Sequence, residues 1–333
     1  MSILHVLIAI IAGFGLAVVY ALIVWWFDRY EKEPWPLLIG AFVWGAVPAV
    51  ILALIVEMVL DIPIKSVLGS DLAYNFVGSS VIAPLVEEFF KGLAVLAVFF
   101  LFYRRFDGVL DGVVYGSTVG FGFAAVENVL YFVSALDKGS ASQMFILIFM
   151  RAFLFGFNHA FFTSLTGIGL ALARTSRSWA SKLIAPVFGF GLAVAAHALH
   201  NGGAAITPVM MCGILISLAS DWIGVLALLV IVIVATVQER KWIAKYLADE
   251  VASGLITPSQ YRAACSYLVR VGERVEALGR GNVRLFFRLG RFYQLMTLLA
   301  FRKYQLAYFG DEGGNRAEVE RWRREIAVMQ SKF

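Results

Sequence analysis

Seven stretches of about twenty or more predominantly apolar residues, near 3–26, 36–60, 76–103, 112–134, 144–173, 182–206 and 213–237, limit what this chain can fold into. A helix rises 1.5 Å per residue, so about twenty such residues cross the roughly 30 Å of hydrocarbon in a bilayer. Within lipid every backbone N–H and C=O must be satisfied internally, which leaves helices and closed barrels. Alternation at period two does not run through enough segments for a barrel. The expected fold is therefore all-α, a polytopic transmembrane helix bundle of about seven spans with the lipid bilayer as its solvent. Composition agrees, because 60% of the residues are hydrophobic against roughly 45–50% in soluble domains. The first run lacks a basic leader and a small-residue cleavage site, so it reads as a retained span.

Charge divides the chain in two. Residues 1–238 carry 11 Lys/Arg against 13 Asp/Glu, while 239–333 carry 17 against 10, so a membrane part at −2 is followed by a tail at +7. We expect a transmembrane domain over 1–238 and a small helical domain over 239–333, with Thr257–Pro258 as a helix start and Gly310–Gly314 as a loop before a last helix. Basic residues cluster in alternate connections, at Arg29/Lys32, Arg104/Arg105 and Arg174/Arg177/Lys182, whereas the opposite ones hold Lys65 and Lys138. By the positive-inside tendency the N-terminus is outside and the tail cytoplasmic. The tail's charge suits anionic headgroups, and no nucleic-acid partner is expected. Cys212 and Cys265 lie far apart and suggest neither a disulfide framework nor a thiolate metal site.

Ionisable groups deep in a span cost several kcal/mol and mark function by default. Four places carry them. PLVEEFFKGLAVL puts Glu87 and Glu88 in the third span with Lys91 one turn on, at i+4 and i+3, where it can pair with either. GFGFAAVENVLYF brings Glu127 and Asn128 into the fourth span beside Gly116, Gly120 and Gly122, which allow close helix approach. The fifth span has His159 four residues after Phe155, with Arg151 two turns earlier. In the sixth, His197 and Asn201 share a face at i, i+4, with His200 nearby. Taken singly, each is as well explained as an ion pair or a hydrogen bond in a helix seam. Three glutamates and two histidines on four successive spans, each about 7–15 residues from the outer end, are better explained as one shared cavity. The charged turn around Trp35 is read as interfacial.

A carboxylate base, histidines and a side-chain amide are the parts needed to activate water and stabilise an oxyanion on a peptide carbonyl. In this reading Glu87 or Glu88 takes the proton and His159 orients water or protonates the leaving amine. His197 and Asn201 donate to the intermediate, while Lys91, Glu127 and Asn128 support them. A metal variant stands beside it, with His159, His197 and Glu127 holding zinc, although no H-E-x-x-H is present.

Glu87-Glu88-x-x-Lys91, Phe123-x-x-x-Glu127-Asn128, Phe155-x-x-x-His159 and His197-x-x-x-Asn201, preceded by Tyr30–Pro36, resemble the PrsW family of intramembrane proteases. The resemblance covers about residues 20–210, and that family is related more distantly to the CAAX prenyl-protein endopeptidases. It implies a multi-pass protein of a bacterial cell membrane that cleaves a single-pass membrane protein, such as an anti-sigma factor, with metal or glutamate chemistry left open. Two non-enzymatic readings compete. A proton- or cation-coupled transporter predicts broken helices or inverted repeats, and a scaffold predicts dispensable buried glutamates.

Overall fold

The computed structural model describes residues 3–331 except 69 and 139 and, for side chains, also excepting 64, 68, 71, 72 and 138. Lys138, one of the charges behind the expected orientation, thus lies outside the described residues. All regular structure among the described residues is helical. The helices are α1 (Ile3–Phe27), α2 (Trp35–Trp44), α3 (Val50–Leu68), α4 (Asp71–Val77), α5 (Ala83–Leu101), α6 (Val109–Lys138), α7 (Ala141–Leu147), α8 (Asn158–Thr175), α9 (Trp179–Ile206), α10 (Cys212–Ala252), α11 (Pro258–Ala264), α12 (Tyr267–Gly279), α13 (Val283–Phe309) and α14 (Asn315–Gln330).

Six helices in the described residues are long and apolar enough to span a membrane: Ile3–Phe27, Trp35–Val67, Val109–Asp137, Ala141–Thr175, Trp179–Ile206 and Cys212–Ala252. Each coincides with an expected span. The remaining one, expected near 76–103, is α5, 19 residues long. It falls short of an ordinary span because Glu87, Glu88 and Lys91 lie in it, all three buried. Many other side chains on these helices are large, apolar and exposed, among them Ile11, Ile55, Phe100, Val187 and Ile223, as expected where lipid replaces water.

Among the described residues, three wide π-helical turns interrupt the spans. Gly45–Ala49 joins α2 to α3 and contains Pro48, whose missing N–H and bulky ring widen the turn. Gly78–Ile82 joins α4 to α5. Ile148–Leu154 follows α7, carries Arg151 and closes with Phe155 N–H on the Met150 carbonyl at 2.8 Å. Such turns shift the facing of a helix by part of a turn and recur at functional sites.

The chain forms two compact units. In the first, residues 1–27 and 33–232, α6 lies at the centre and packs along α1, α2 and α8, while α8 also packs along α9. Gly112, Gly116 and Gly120 recur every four residues on α6 and face α8. Added Cβ atoms would come within 2.3 Å of the Gly167 carbonyl, 2.7 Å of Ser164 and 2.3 Å of the His159 carbonyl. In lipid, where no hydrophobic effect drives helices together, contact this close is a main source of association.

The second unit, residues 28–32 and 233–333, has a core of Ile243, Leu247, Phe292, Met296, Leu299, Phe301, Val319 and Ile326. Thr257 caps α11 reciprocally with Gln260, with Pro258 in the first turn. Gly310, Gly313 and Gly314 adopt positive φ before α14, so the expected helix start and the loop with its final helix are both present.

Gly120→Ala should push α6 from α8 and lower stability by about 1–3 kcal/mol, as overpacking does. Gly191→Ala, with nothing within 4 Å of the new methyl, should leave it unchanged. Thermal unfolding of the two purified variants in the same detergent checks this.

Candidate active site

Four helices and one π turn of the first unit bring their polar groups to one place. α5 supplies Glu87, Glu88 and Lys91, α6 supplies Glu127 and Asn128, the turn 148–154 supplies Arg151, α8 supplies His159 and Thr163, and α9 supplies His197. A row of glycines on α6 lets α8 approach until the His159 backbone lies against Gly120. Glu127 and His159 thereby meet across the interface.

Glu88 is fully buried and has both oxygens engaged. Oε1 accepts from the Lys91 ammonium and pairs with His197 Nδ1 at 2.9 Å. Oε2 accepts from Thr163 Oγ1 at 3.0 Å. With Nδ1 of His197 turned to Glu88, its Nε2 points to Glu87 Oε2, 3.7 Å away. His197 also stacks on Phe162, with ring centroids 4.8 Å apart and planes 19° apart. The ring is thus fixed from its edge and its face.

Lys91, likewise fully buried, also reaches His159 Nδ1 at 3.1 Å and sits 4.5 Å from the centroid of the Phe123 ring. His159 Nε2 lies 2.8 Å from Glu127 Oε2. Arg151 Nη2 lies 2.7 Å from the same oxygen, and its Nε donates to Asn128 Oδ1 at 3.0 Å. Arg151 additionally covers the Tyr131 ring at 3.8 Å.

Glu87 is placed differently from its neighbour. Its Oε2 is buried and accepts no hydrogen bond among the described residues. The nearest cations and imidazoles are Lys91 Nζ at 3.9 Å and His197 Nε2 at 3.7 Å. Glu87 also lines a cavity of about 500 Å³ shared with Glu57, Asp61, Tyr74, Phe123, Glu127, Tyr131 and Asn201, a volume usual for a ligand pocket.

One atom each from Glu87, His159 and His197 forms a group within 4.8 Å of one another. Two imidazoles and one carboxylate match the donors of catalytic zinc sites. Glu87 Oε2 has a lone pair left for a cation, and the Glu88 contact to His197 is the kind of carboxylate support that orients a metal-binding imidazole. The donor set therefore fits a divalent ion. The carboxylate beside the two histidines is Glu87, whereas the sequence reading had put Glu127 there. Glu127 is held by Arg151 instead, a partner whose approach depends on the π turn.

Asn201 lines the cavity, and its amide donates to the Ser79 carbonyl at 2.9 Å. Asn128 serves Arg151. His200 turns away from His197's partners and pairs through Nδ1 with Asp221 of α10 at 2.8 Å. Sequence reasoning passed over Thr163, which carries no charge to flag it. It also passed over Glu57 and Asp61, although Glu57 sits inside the apolar run ALIVEMVL and Asp61 follows at i+4.

A family model described as PrsW family intramembrane metalloprotease matches residues 33–237, a range that contains every residue of this site. The chain is similar to Protease PrsW of Oceanobacillus iheyensis, with 28% identity over 177 residues, 52% of this chain and 72% of that protein. It is 31% identical over 172 residues to Protease PrsW of Geobacillus kaustophilus, covering 50% and 68% of the two chains. To Protease PrsW of Clostridioides difficile it is 35% identical over 107 residues, covering 32% and 43%. No solved structure matches the chain.

Lys91→Met should cost about 3–5 kcal/mol, because it strands Glu88 as a buried charge. Adding Glu88→Gln should recover more than half of that loss. Thermal unfolding of the single and double variants measures the coupling, and additive losses would sink the assignment.

Proposed function

Because this chain belongs to the PrsW family of intramembrane metalloproteases, and is thus a multi-pass membrane hydrolase acting on membrane proteins, we propose that Glu87, His159 and His197 form its catalytic centre. The observation that carries the reading is the contrast between adjacent carboxylates: Glu88 has both oxygens hydrogen-bonded, whereas Glu87 lines the cavity and its Oε2 accepts no hydrogen bond among the described residues. Family membership sets aside the transporter and scaffold readings.

Glu87, His159 and His197 would hold the metal, His159 giving up its Nδ1 contact with the Lys91 ammonium to do so, and zinc is the best match to two imidazoles and a carboxylate. When bound, such an ion polarises a carbonyl and acidifies water. The chain's own groups do the rest. Glu87, which lines the cavity, is the carboxylate placed to take a proton from water there, through the oxygen that the metal would leave free. Glu88 and Thr163 fix the tautomer and direction of His197, so that Nε2 faces the reacting position. Glu127, held by Arg151, does the same for His159 through Nε2. Lys91 balances the carboxylates and holds Glu88 as an acceptor, which keeps it out of proton transfer. Asn201 lines the cavity, where it supports the π turn 78–82 through Ser79. Exclusion of bulk water by the surrounding spans strengthens each of these interactions.

The substrate we propose is a single-pass membrane protein such as an anti-sigma factor, entering the cavity beside α3, α4 and α6. The protein resides in a bacterial cell membrane, with its N-terminus outside and the 239–333 domain in the cytoplasm, as the distribution of Lys and Arg favours.

The test is cleavage of tagged single-pass substrates in membranes at matched enzyme levels, with metal content measured on the purified proteins. Glu87→Gln should reduce cleavage by on the order of a hundredfold or more and lose the metal. Glu88→Gln should lower metal affinity about 10–100-fold, as loss of a supporting carboxylate does, with activity regained as metal is added. Full activity of Glu87→Gln would overturn the assignment. A chelator should abolish cleavage, and stoichiometric zinc should restore it.

A further inference from the structure

The second unit contains a pocket of about 440 Å³ whose lining holds five cations, Arg29, Lys32, Arg270, Arg274 and Arg291, and no carboxylate. Like charges gather at the cost of mutual repulsion, so their convergence on one concave surface needs a reason. Two are held by the fold. Arg270 is buried, donates from Nε to the Ala264 carbonyl at 2.9 Å and lies between the rings of Tyr30 and Tyr293, 5.1 and 5.9 Å from their centroids. Burial lowers its pKa to about 10, so it remains cationic at neutral pH. Arg274 lies 4.3 Å over the Phe286 ring and against Gly290, where an added Cβ would come 3.1 Å from its Nε. That Nε is buried and has no hydrogen-bond partner among the described residues.

The neighbouring acids lie outside the pocket lining. Glu273 accepts from the Tyr293 hydroxyl, Glu325 is 3.6 Å from Arg291, and Asp28 and Glu31 belong to the same short loop as Arg29 and Lys32.

Beside the pocket, the outward face of α12 is apolar. Leu268, Val275 and Leu278 are exposed, with half-buried Val271 completing the stripe at helical spacing. Phe287, which lines the pocket, is 66% exposed. A water-facing surface would not place such residues around a cationic pocket. A membrane surface would, since a helix with apolar and basic faces lies at the headgroup level. Chain connectivity points the same way, because Arg29 is two residues beyond Phe27, the end of the first span.

We propose that this pocket binds the headgroup of an anionic phospholipid from the protein's own membrane. The phosphate is held by Arg274 and Arg291, and the proximal acyl chain lies along Phe287 and the α12 stripe. Arg270 sets the positive field at the back of the pocket.

The experiment uses the full-length protein in a neutral detergent, titrated with phosphatidylglycerol, phosphatidylcholine or soluble glycerol 1-phosphate, with retained lipid counted by native mass spectrometry. Phosphatidylglycerol should bind at least tenfold more tightly than phosphatidylcholine, and the preference should shrink as salt rises. The Arg274→Gln/Arg291→Gln pair should erase the preference. Val275→Asp, an exposed substitution clear of the core, should weaken phosphatidylglycerol binding as well, which tests the idea even if the double variant misfolds. Equal binding of the two lipids by wild type, or an unchanged preference in a folded double variant, overturns the site. Displacement of phosphatidylglycerol by glycerol 1-phosphate at equal concentration overturns the lipid and leaves a soluble phosphate ligand.

Discussion

Lys91 carries a charge at a position with no exposure, on a helix surrounded by others that face lipid, and the site is arranged around making that charge tolerable. An isolated ammonium in such surroundings costs several kcal/mol even after relaxation. Glu88 supplies the countercharge, and His159 Nδ1 and the face of Phe123 take up further interactions of the ammonium. Once Glu88 is committed to Lys91, its remaining capacity is spent on His197 and Thr163. The other glutamate of the pair then faces the cavity without a donor. The division of labour between two adjacent, chemically identical residues is therefore a consequence of one ion pair.

That ion pair needs a scaffold able to bring four helices within hydrogen-bonding reach in a medium that offers no hydrophobic driving force between them. The glycines of α6 provide it by letting α8 approach at backbone distance. The π turn at 148–154 then re-aims Arg151 toward Glu127. Because Glu127 is neutralised by Arg151, it supports His159 without competing for the cation that the two histidines and Glu87 are suited to hold. Close packing on one side and a cavity of about 500 Å³ on the other give the site a rigid wall and an entrance.

The second unit follows a different physics. Its core is that of a small soluble domain, with aromatic and aliphatic side chains from α10, α13 and α14. Its ion pairs, such as Arg323 with Glu250 at 2.7 Å and Arg302 with Glu318 at 2.7 Å, each join a buried residue, Glu250 or Arg302, to a partly exposed partner. The family match ends at residue 237, so the chemistry of the site does not explain this unit. Its basic pocket and exposed apolar helix face are the features on which the proposed lipid contact rests.

The sequence by itself determined the membrane, the helices and the cluster. Apolar runs of fixed length can satisfy their backbones in lipid in only one way, and ionisable residues such as Glu87, Lys91 and His197 stand out against such a background. It also determined which carboxylates were candidates, since charge inside a span is rare. It did not separate Glu87 from Glu88, because neighbours on one helix differ by about 100° of facing, and only the partners across the interface give that difference a meaning. Nor did it place Arg151 on Glu127 or bring in Thr163 and Glu57. The first needs a π turn, the second has no charge, and the third becomes part of the site only through the cavity between α3 and α6. Those choices belong to the tertiary structure, where contacts between residues far apart in the chain decide which carboxylate is hydrogen-bonded and which is left without a donor.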